Sequence, residues 1–206
     1  MQKLKEDIKQ KIIEVGKLRF RREGYENTSM KDIASDAGIS TGNIYRYFLT
    51  KKHLLNEILK ELEIEIEDFF SKIPSNYEEI KSHEIFDLMI DMTLNIAETK
   101  GDTLKVMFKC ENENQFVEFK SKVLEMFISK MFEIAKSIKK ENIDMTLCEA
   151  MARAQFEGFI FIVKSNIDDT QKLKKNLMLY ENLCLFIAIR CDHTSCTIHS
   201  IFKEQT

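Results

Sequence analysis

Apolar residues recur at three- and four-residue spacings along most of the chain, and no stretch shows the single alternation of a half-buried strand, so the pattern predicts helices throughout. Ile8, Ile12, Val15 and Phe20 mark a first helix over residues 5 to 23, with Arg21, Arg22 and Glu23 before a stop at Gly24. Ser29 followed by Met30, Lys31 and Asp32 is a capping-box-like start for a short second helix that runs to about Ala37. Gly38 can take the left-handed conformation that ends it, and Ser40 can cap a third helix through Phe48. From Thr50 to Ile73, the residues Leu54, Ile58, Leu62, Ile66, Phe69 and Ile73 form one stripe over more than five turns, until Pro74, Ser75 and Asn76 interrupt it. Further helices are expected at about 82 to 99, 102 to 111, 114 to 140, 145 to 165 and 169 to 191.

The last helix carries two stripes. Leu173, Leu177, Tyr180, Cys184 and Ile187 form one, and Leu179, Leu183 and Phe186 form the other. A helix apolar on two faces needs two burial partners. One face can pack on its own domain; the other packs most simply on a second copy across a two-fold axis, which predicts a homodimer through the last two helices. Gly158, between Ala154 and Ile162, would permit close helix approach at this seam.

Composition narrows the function. The 206 residues include one Pro and six Gly, too few for glycine-loop enzymes, and no His-Glu-x-x-His or Gly-x-Ser-x-Gly pattern occurs. No catalytic residues and no cofactor are expected. No window reaches eighteen uncharged apolar residues, and the start, Met-Gln-Lys-Leu-Lys-Glu-Asp, lacks an apolar signal core, so a cytoplasmic protein with no membrane partner is expected. The net charge of -3 hides an asymmetry: residues 1 to 60 hold 13 basic and 8 acidic side chains, leaving 18 and 26 for the rest. A basic head can neutralise phosphates while an acidic body stays clear of them.

Within that head, Ile33-Ala34, Ala37-Gly38-Ile39 and Ile44 answer the geometric needs of two short helices that cross closely. Ala34 permits the approach, Gly38 makes the turn, and the isoleucines fill the shared core. This is a helix-turn-helix pattern. Its second helix would expose Thr41, Gly42, Asn43 and Arg46 toward base edges in a major groove. Thr28, Ser29 and Ser40, beside helix N-termini, could hold phosphate oxygens, with Tyr45, Tyr47 and Lys51 adding further contacts.

Phe20, Gly24-Tyr25, Thr28-Ser29-Met30, Asp32-Ile33-Ala34, Ala37-Gly38-Ile39-Ser40, Gly42, Tyr45, Tyr47-Phe48, Lys51 and Leu54 together resemble the TetR family of transcriptional regulators, in order and spacing over about residues 8 to 60. The resemblance implies an all-α protein: a three-helix DNA-binding domain over residues 1 to 50, a connecting helix that begins there and extends past about residue 60, and a helical effector-binding and dimerisation domain over residues 51 to 206. It also implies a homodimer on a palindromic double-stranded DNA operator, acting most simply as a repressor released by a small apolar effector. Coupling between the two parts is expected to run through the connecting helix alone. The chain departs from the family pattern at Gly16, where Ala is usual, and at Lys52-His53, where acidic residues are usual.

Thirteen of the 15 Phe and eight of the 10 Met lie beyond residue 60, and an adaptable apolar pocket would use such residues. Phe86, Met89, Met92, Phe108, Phe116, Met126, Phe156 and Phe159 are the candidates to contact the effector. The five cysteines are an odd set with no disulfide framework. Cys191, His193, Cys196 and His199 lie close together near the C-terminus, but not at a common zinc-ligand spacing, and no metal is expected there. The alternatives are the same fold sensing a metal ion or oxidant through that cluster, or acting as an activator.

Overall fold

A computed structural model describes residues 2–74, 82–138 and 145–191. Among these residues there is no strand, and nine helices follow in order. They are α1 (Gln2–Glu23), α2 (Met30–Asp36), α3 (Thr41–Ile44), α4 (Lys51–Lys72), α5 (Ser82–Thr99), α6 (Gly101–Lys109), α7 (Asn114–Ile138), α8 (Met145–Asn166) and α9 (Thr170–Cys191).

The local signals act as their chemistry dictates. Ser29 accepts from the Asp32 amide while the Asp32 carboxylate accepts from the Ser29 amide, a complete capping box. Ser40 and Thr50 cap α3 and α4 by accepting from the amides of Asn43 and His53. Gly24 (φ 84°) and Gly38 (φ 68°) take the left-handed conformation at the two turns where the chain reverses. The third helix is shorter than its pattern predicts. After Ile44 the amides of Arg46 and Tyr47 bond three residues back, to Asn43 and Ile44 carbonyls, so a tight turn replaces the second helical turn. That turn brings Phe48 inward to full burial.

The head packs α1 against α2 and α4, and α2 against α3. Ile12, Phe20, Ile33, Ile44, Phe48, Leu54 and Ile58 are completely buried at its centre, each worth about 1.5–3 kcal/mol of burial. Gly16 serves this packing: a Cβ there would lie 2.9 Å from Leu54 Cδ2, so α1 and α4 meet where an alanine would crowd. In the body, α7 lies between α4 and α8, and α9 packs on α5 and α8.

One expectation is corrected here. The connecting helix α4 is not the only element that joins head to body, because α6 packs directly on α1. Arg21 pairs with Asp102, and Lys109 donates to the Arg21 carbonyl. The buried residues run as one cluster from Ile12 and Phe20 through Leu59 and Leu62 to Leu104, Met107 and Leu177. Head and body share a core, which the charge asymmetry alone concealed.

Candidate functional site

The candidate nucleic-acid surface is built on α3 and the turn that follows it. Buried Ile44 and Phe48 anchor this segment from below, while Ala34 and Ala37, both 1% exposed, let α2 and α3 approach closely. Thr41, Gly42, Tyr45 and Arg46 are thereby left exposed together, with Asn43 and Tyr47 half-buried between them. Nothing lies within 4 Å of where a Gly42 Cβ would sit, so the surface is open at that point. Arg46 makes no ion pair among the described residues, nor does Lys31 on α2.

The flanking residues divide. Ser29 and Ser40 are exposed, and Ser40 Oγ only accepts from the Asn43 amide, at 3.2 Å. The Ser29 hydroxyl instead donates to the Asp32 carboxylate, and this bond holds the carboxyl below its usual range. Thr28 does not present its hydroxyl as expected. It is 2% exposed and donates to the Gly24 carbonyl at 2.8 Å, which ties the loop between α1 and α2. Lys51 also differs from the sequence expectation. Its ammonium donates to the Tyr25 carbonyl at 2.6 Å and lies 4.1 Å from the centroid of the Tyr25 ring, so it braces that same loop against α4.

Several of the head's basic groups are likewise committed to carboxylates. Lys9 pairs with Glu57 at 2.6 Å, Lys17 with Glu61 at 3.1 Å, and Arg19 with Asp36 at 2.7 Å. The lysine hydrogen bond holds Glu57 below the usual carboxylate range, and the Arg19 guanidinium does the same for Asp36. The basic excess counted over residues 1 to 60 therefore overstates the charge free to meet phosphate. Among the described residues Lys31 and Arg46, on and beside the helix-turn-helix, remain without an ion pair, as do Lys5 and Lys11 on α1 and Lys60 on α4.

The second site is an apolar cavity in the body. It is walled by Leu62, Ile66 and Phe70 of α4, Met89 and Met92 of α5, Leu104, Met107 and Phe108 of α6, and Phe116, Val123 and Phe127 of α7. Phe156, Phe159 and Val163 of α8 and Leu177 of α9 close it. Six of the eight effector candidates, Met89, Met92, Phe108, Phe116, Phe156 and Phe159, line it. Met126 does not. It lies about 100° around α7 from Phe127, half-buried against the α4–α7–α8 cluster rather than the cavity. The side chain of Phe86 falls outside the described residues.

Sequence reasoning missed the α4 wall and, on α6, found Phe108 but not Leu104 or Met107. The signal was present in the Leu62, Ile66, Phe70 spacing, but that stripe reads equally as core. It also missed five polar lining residues, Thr93, Lys120, Gln155, Tyr180 and Glu181.

Two faces of α9 are seen as expected. Leu173 and Leu177 are buried, whereas Leu179 is 53% and Leu183 60% exposed, beside Met178. On α8, Phe161 is 70% exposed. The side chains of Phe186, Ile187, Cys191, His193, Cys196 and His199 fall outside the described residues. Cys110 is buried, and burial pushes its thiol up to about 12, which leaves no reactive thiolate. Cys148 and Cys184 are half-buried, with thiols raised in the same direction by burial.

Residues 12–58 match the model of the bacterial regulatory proteins of the tetR family. An uncharacterized HTH-type transcriptional regulator of Bacillus subtilis, YfiR, is 26% identical over 115 residues, 52% of this chain and 55% of that protein. An HTH-type transcriptional regulator of Staphylococcus aureus strain USA300 is 29% identical over 119 residues, 57% of this chain and 63% of that protein. The chain thus matches between about half and two thirds of the length of these relatives. Among solved structures, NalD, the secondary repressor of the MexAB-OprM multidrug efflux pump in Pseudomonas aeruginosa, superposes with a TM-score of 0.68 at 16% identity, covering 89% of this chain and 96% of that one. A SmeT–triclosan complex superposes at 0.66 and 17% identity, covering 88% and 91%. At such identities these two show the fold.

Proposed function

The chain belongs, through its amino-terminal domain, to the TetR family of bacterial regulatory proteins, and from that premise we propose that it is a ligand-responsive repressor. It binds a palindromic operator as a homodimer and leaves the DNA when a small apolar molecule occupies the body cavity. The observation that carries this reading is the coexistence in one chain of an exposed reading surface, Thr41 to Arg46, and an apolar cavity connected to it by shared packing.

On DNA, Thr41, Gly42 and Asn43 approach the base edges closely because they are small or short. Arg46 supplies the charged fork that can bridge two guanine acceptors, and Tyr45 and Tyr47 flank it as backbone contacts. Ser29 and Ser40 sit at the phosphate level. Thr28 and Lys51 act through the loop they brace. Two reading segments must stand about 34 to 36 Å apart to enter successive major grooves on one side of the duplex.

That spacing is where the ligand acts. The cavity walls include α4, which begins directly after the reading segment, and α6, which bonds to α1 through Asp102 and Lys109. A ligand that binds one arrangement of α4 and α6 better than another shifts the angle of each head on its body. The two heads then no longer match the groove spacing. The dimer seam on this reading is the exposed apolar face of α8 and α9, including Phe161, Leu179 and Leu183, which water would otherwise wet. One structural neighbour is a complex with triclosan, and a lipophilic effector is the reading for this chain too.

The deciding experiment is selection of bound duplexes from a random pool by the purified full chain. A two-fold symmetric sequence with half-sites one helical turn apart supports the reading. Failure to enrich any sequence removes it.

A further inference from the structure

We propose that the molecule recognised by the body cavity is apolar but carries a hydrogen-bond donor, a hydroxyl or N–H group, and that Gln155 Oε1 is the acceptor that selects it. This rests on the reading of that cavity as the effector site and goes beyond it in assigning the ligand's chemistry. Gln155 lines the cavity from α8, and its Oε1 is the one buried side-chain N or O atom with no hydrogen-bond partner among the described residues. Buried acceptors are normally satisfied, and one left open costs its lost hydration.

Three other polar side chains on the lining give their protons to other acceptors. Tyr180, on the facing helix α9, directs its single hydroxyl proton at backbone carbonyls, that of Gln155 at 3.0 Å and that of Ala154 at 3.3 Å. Its position is enforced by Gly158, where a Cβ would fall 2.2 Å from the phenolic oxygen, so the ring packs directly on the α8 backbone. Thr93 gives its proton to the Met89 carbonyl at 2.7 Å. Lys120 is drawn to Glu157 at 2.8 Å. The hydroxyls of Tyr180 and Thr93 and the Lys120 ammonium are therefore directed elsewhere, and Oε1 is left as the unsatisfied buried acceptor of this wall. A ligand bearing only acceptors brings nothing that Oε1 can bond, and an anion would also meet the Glu181 carboxyl on the same lining. A ligand with a donor completes the site.

The test uses 2-naphthol and 2-methoxynaphthalene, nearly matched in shape, titrated calorimetrically into the full-length protein. The ether is the more apolar of the two, so a preference for the naphthol runs against simple partitioning. The wild-type protein is expected to bind 2-naphthol about tenfold tighter, the effect of satisfying one buried acceptor. Gln155→Leu is expected to bring the two affinities within about twofold while still binding the ether, which doubles as its folding control. Equal binding by the wild type, tighter binding of the ether, or an unchanged ratio in Gln155→Leu overturns the assignment while leaving the cavity reading intact. If neither naphthalene binds, the cavity reading itself falls and this inference with it. The wild-type ratio needs no variant and is decisive even if Gln155→Leu fails to fold.

Discussion

A methyl group added at Gly158 tests how the body is held together. In Gly158→Ala the new carbon would stand 2.2 Å from the Tyr180 hydroxyl oxygen, 2.6 Å from Cζ and 2.9 Å from Cε2, all well inside van der Waals contact. The ring cannot stay. Either α8 and α9 separate or Tyr180 rotates out, and both routes break its hydrogen bond to the Gln155 carbonyl. Overpacking of this kind costs about 1–3 kcal/mol and the lost bond about 1 kcal/mol, while replacing a mid-helix glycine returns about 1 kcal/mol of helix propensity. The expected net loss is about 1–3 kcal/mol. Urea denaturation followed by far-UV circular dichroism, at fixed protein concentration, should show the midpoint falling by about 0.5–1 M for an m-value of about 2–3 kcal/mol/M. The double variant Gly158→Ala/Tyr180→Leu should lose less than the sum of the two single changes, because the clash disappears with the ring. A midpoint that stays or rises in Gly158→Ala would refute the packing argument. Strict additivity would place the damage somewhere other than Tyr180.

Four further outcomes are expected. Arg46→Ala should cost about 1–3 kcal/mol of operator affinity and relax base preference at one position, read by fluorescence anisotropy against single-base variants of the operator; uniform weakening would make Arg46 a phosphate contact instead. Lys51→Met should lower the unfolding free energy by about 1–2 kcal/mol, because the Tyr25 carbonyl loses a charged donor and the Tyr25 ring its cation, and an unchanged urea midpoint would end its role as a brace. Ser29→Ala should cost about 0.5–2 kcal/mol as a lost helix cap. It should also flatten the acid limb of stability: the Ser29 hydroxyl lowers the Asp32 carboxyl below its ordinary 3.8, so that contribution is complete above this value and fades as pH falls through the lowered one. An acid titration identical to wild type would remove the Ser29–Asp32 bond from the account. Leu183→Glu should convert a dimer to monomers in sedimentation equilibrium; a variant that still sediments as a dimer would move the seam off this face of α9.

The helices were legible to a high degree because what makes them is local. The expected 82 to 99 is α5 as observed, and the starts of α2, α3 and α4 follow from Ser29, Ser40 and Thr50, whose oxygens reach amides only three residues away. The exposed surface of Thr41, Gly42, Tyr45 and Arg46 was legible for the same reason: Ile44 and Phe48 anchor one side of this segment in the core, and the small and polar residues around them fall on the other. The early end of α3 was not legible. The apolar spacing from Ile44 to Phe48 continues that of a helix, and the turn after Ile44 is set by where Phe48 packs. Met126 failed for a related reason, since a broad apolar surface on α7 does not say which of its residues meets the cavity and which the neighbouring helices.

Sequence alone determined the all-helical class, the helix order, the caps, and the likeness of residues 12–58 to the tetR regulatory proteins, all of which depend on residues within a few positions of each other or on a fixed linear motif. The tertiary structure decided what the polar side chains do. It spent Lys51 on the Tyr25 carbonyl and Thr28 on that of Gly24, docked α6 on α1 as a second link between head and body, and left Gln155 Oε1 without a partner beside a tyrosine whose proton was already given away. Apart from Thr28, whose acceptor lies four residues back, each outcome joins partners tens of residues apart, which no local pattern encodes.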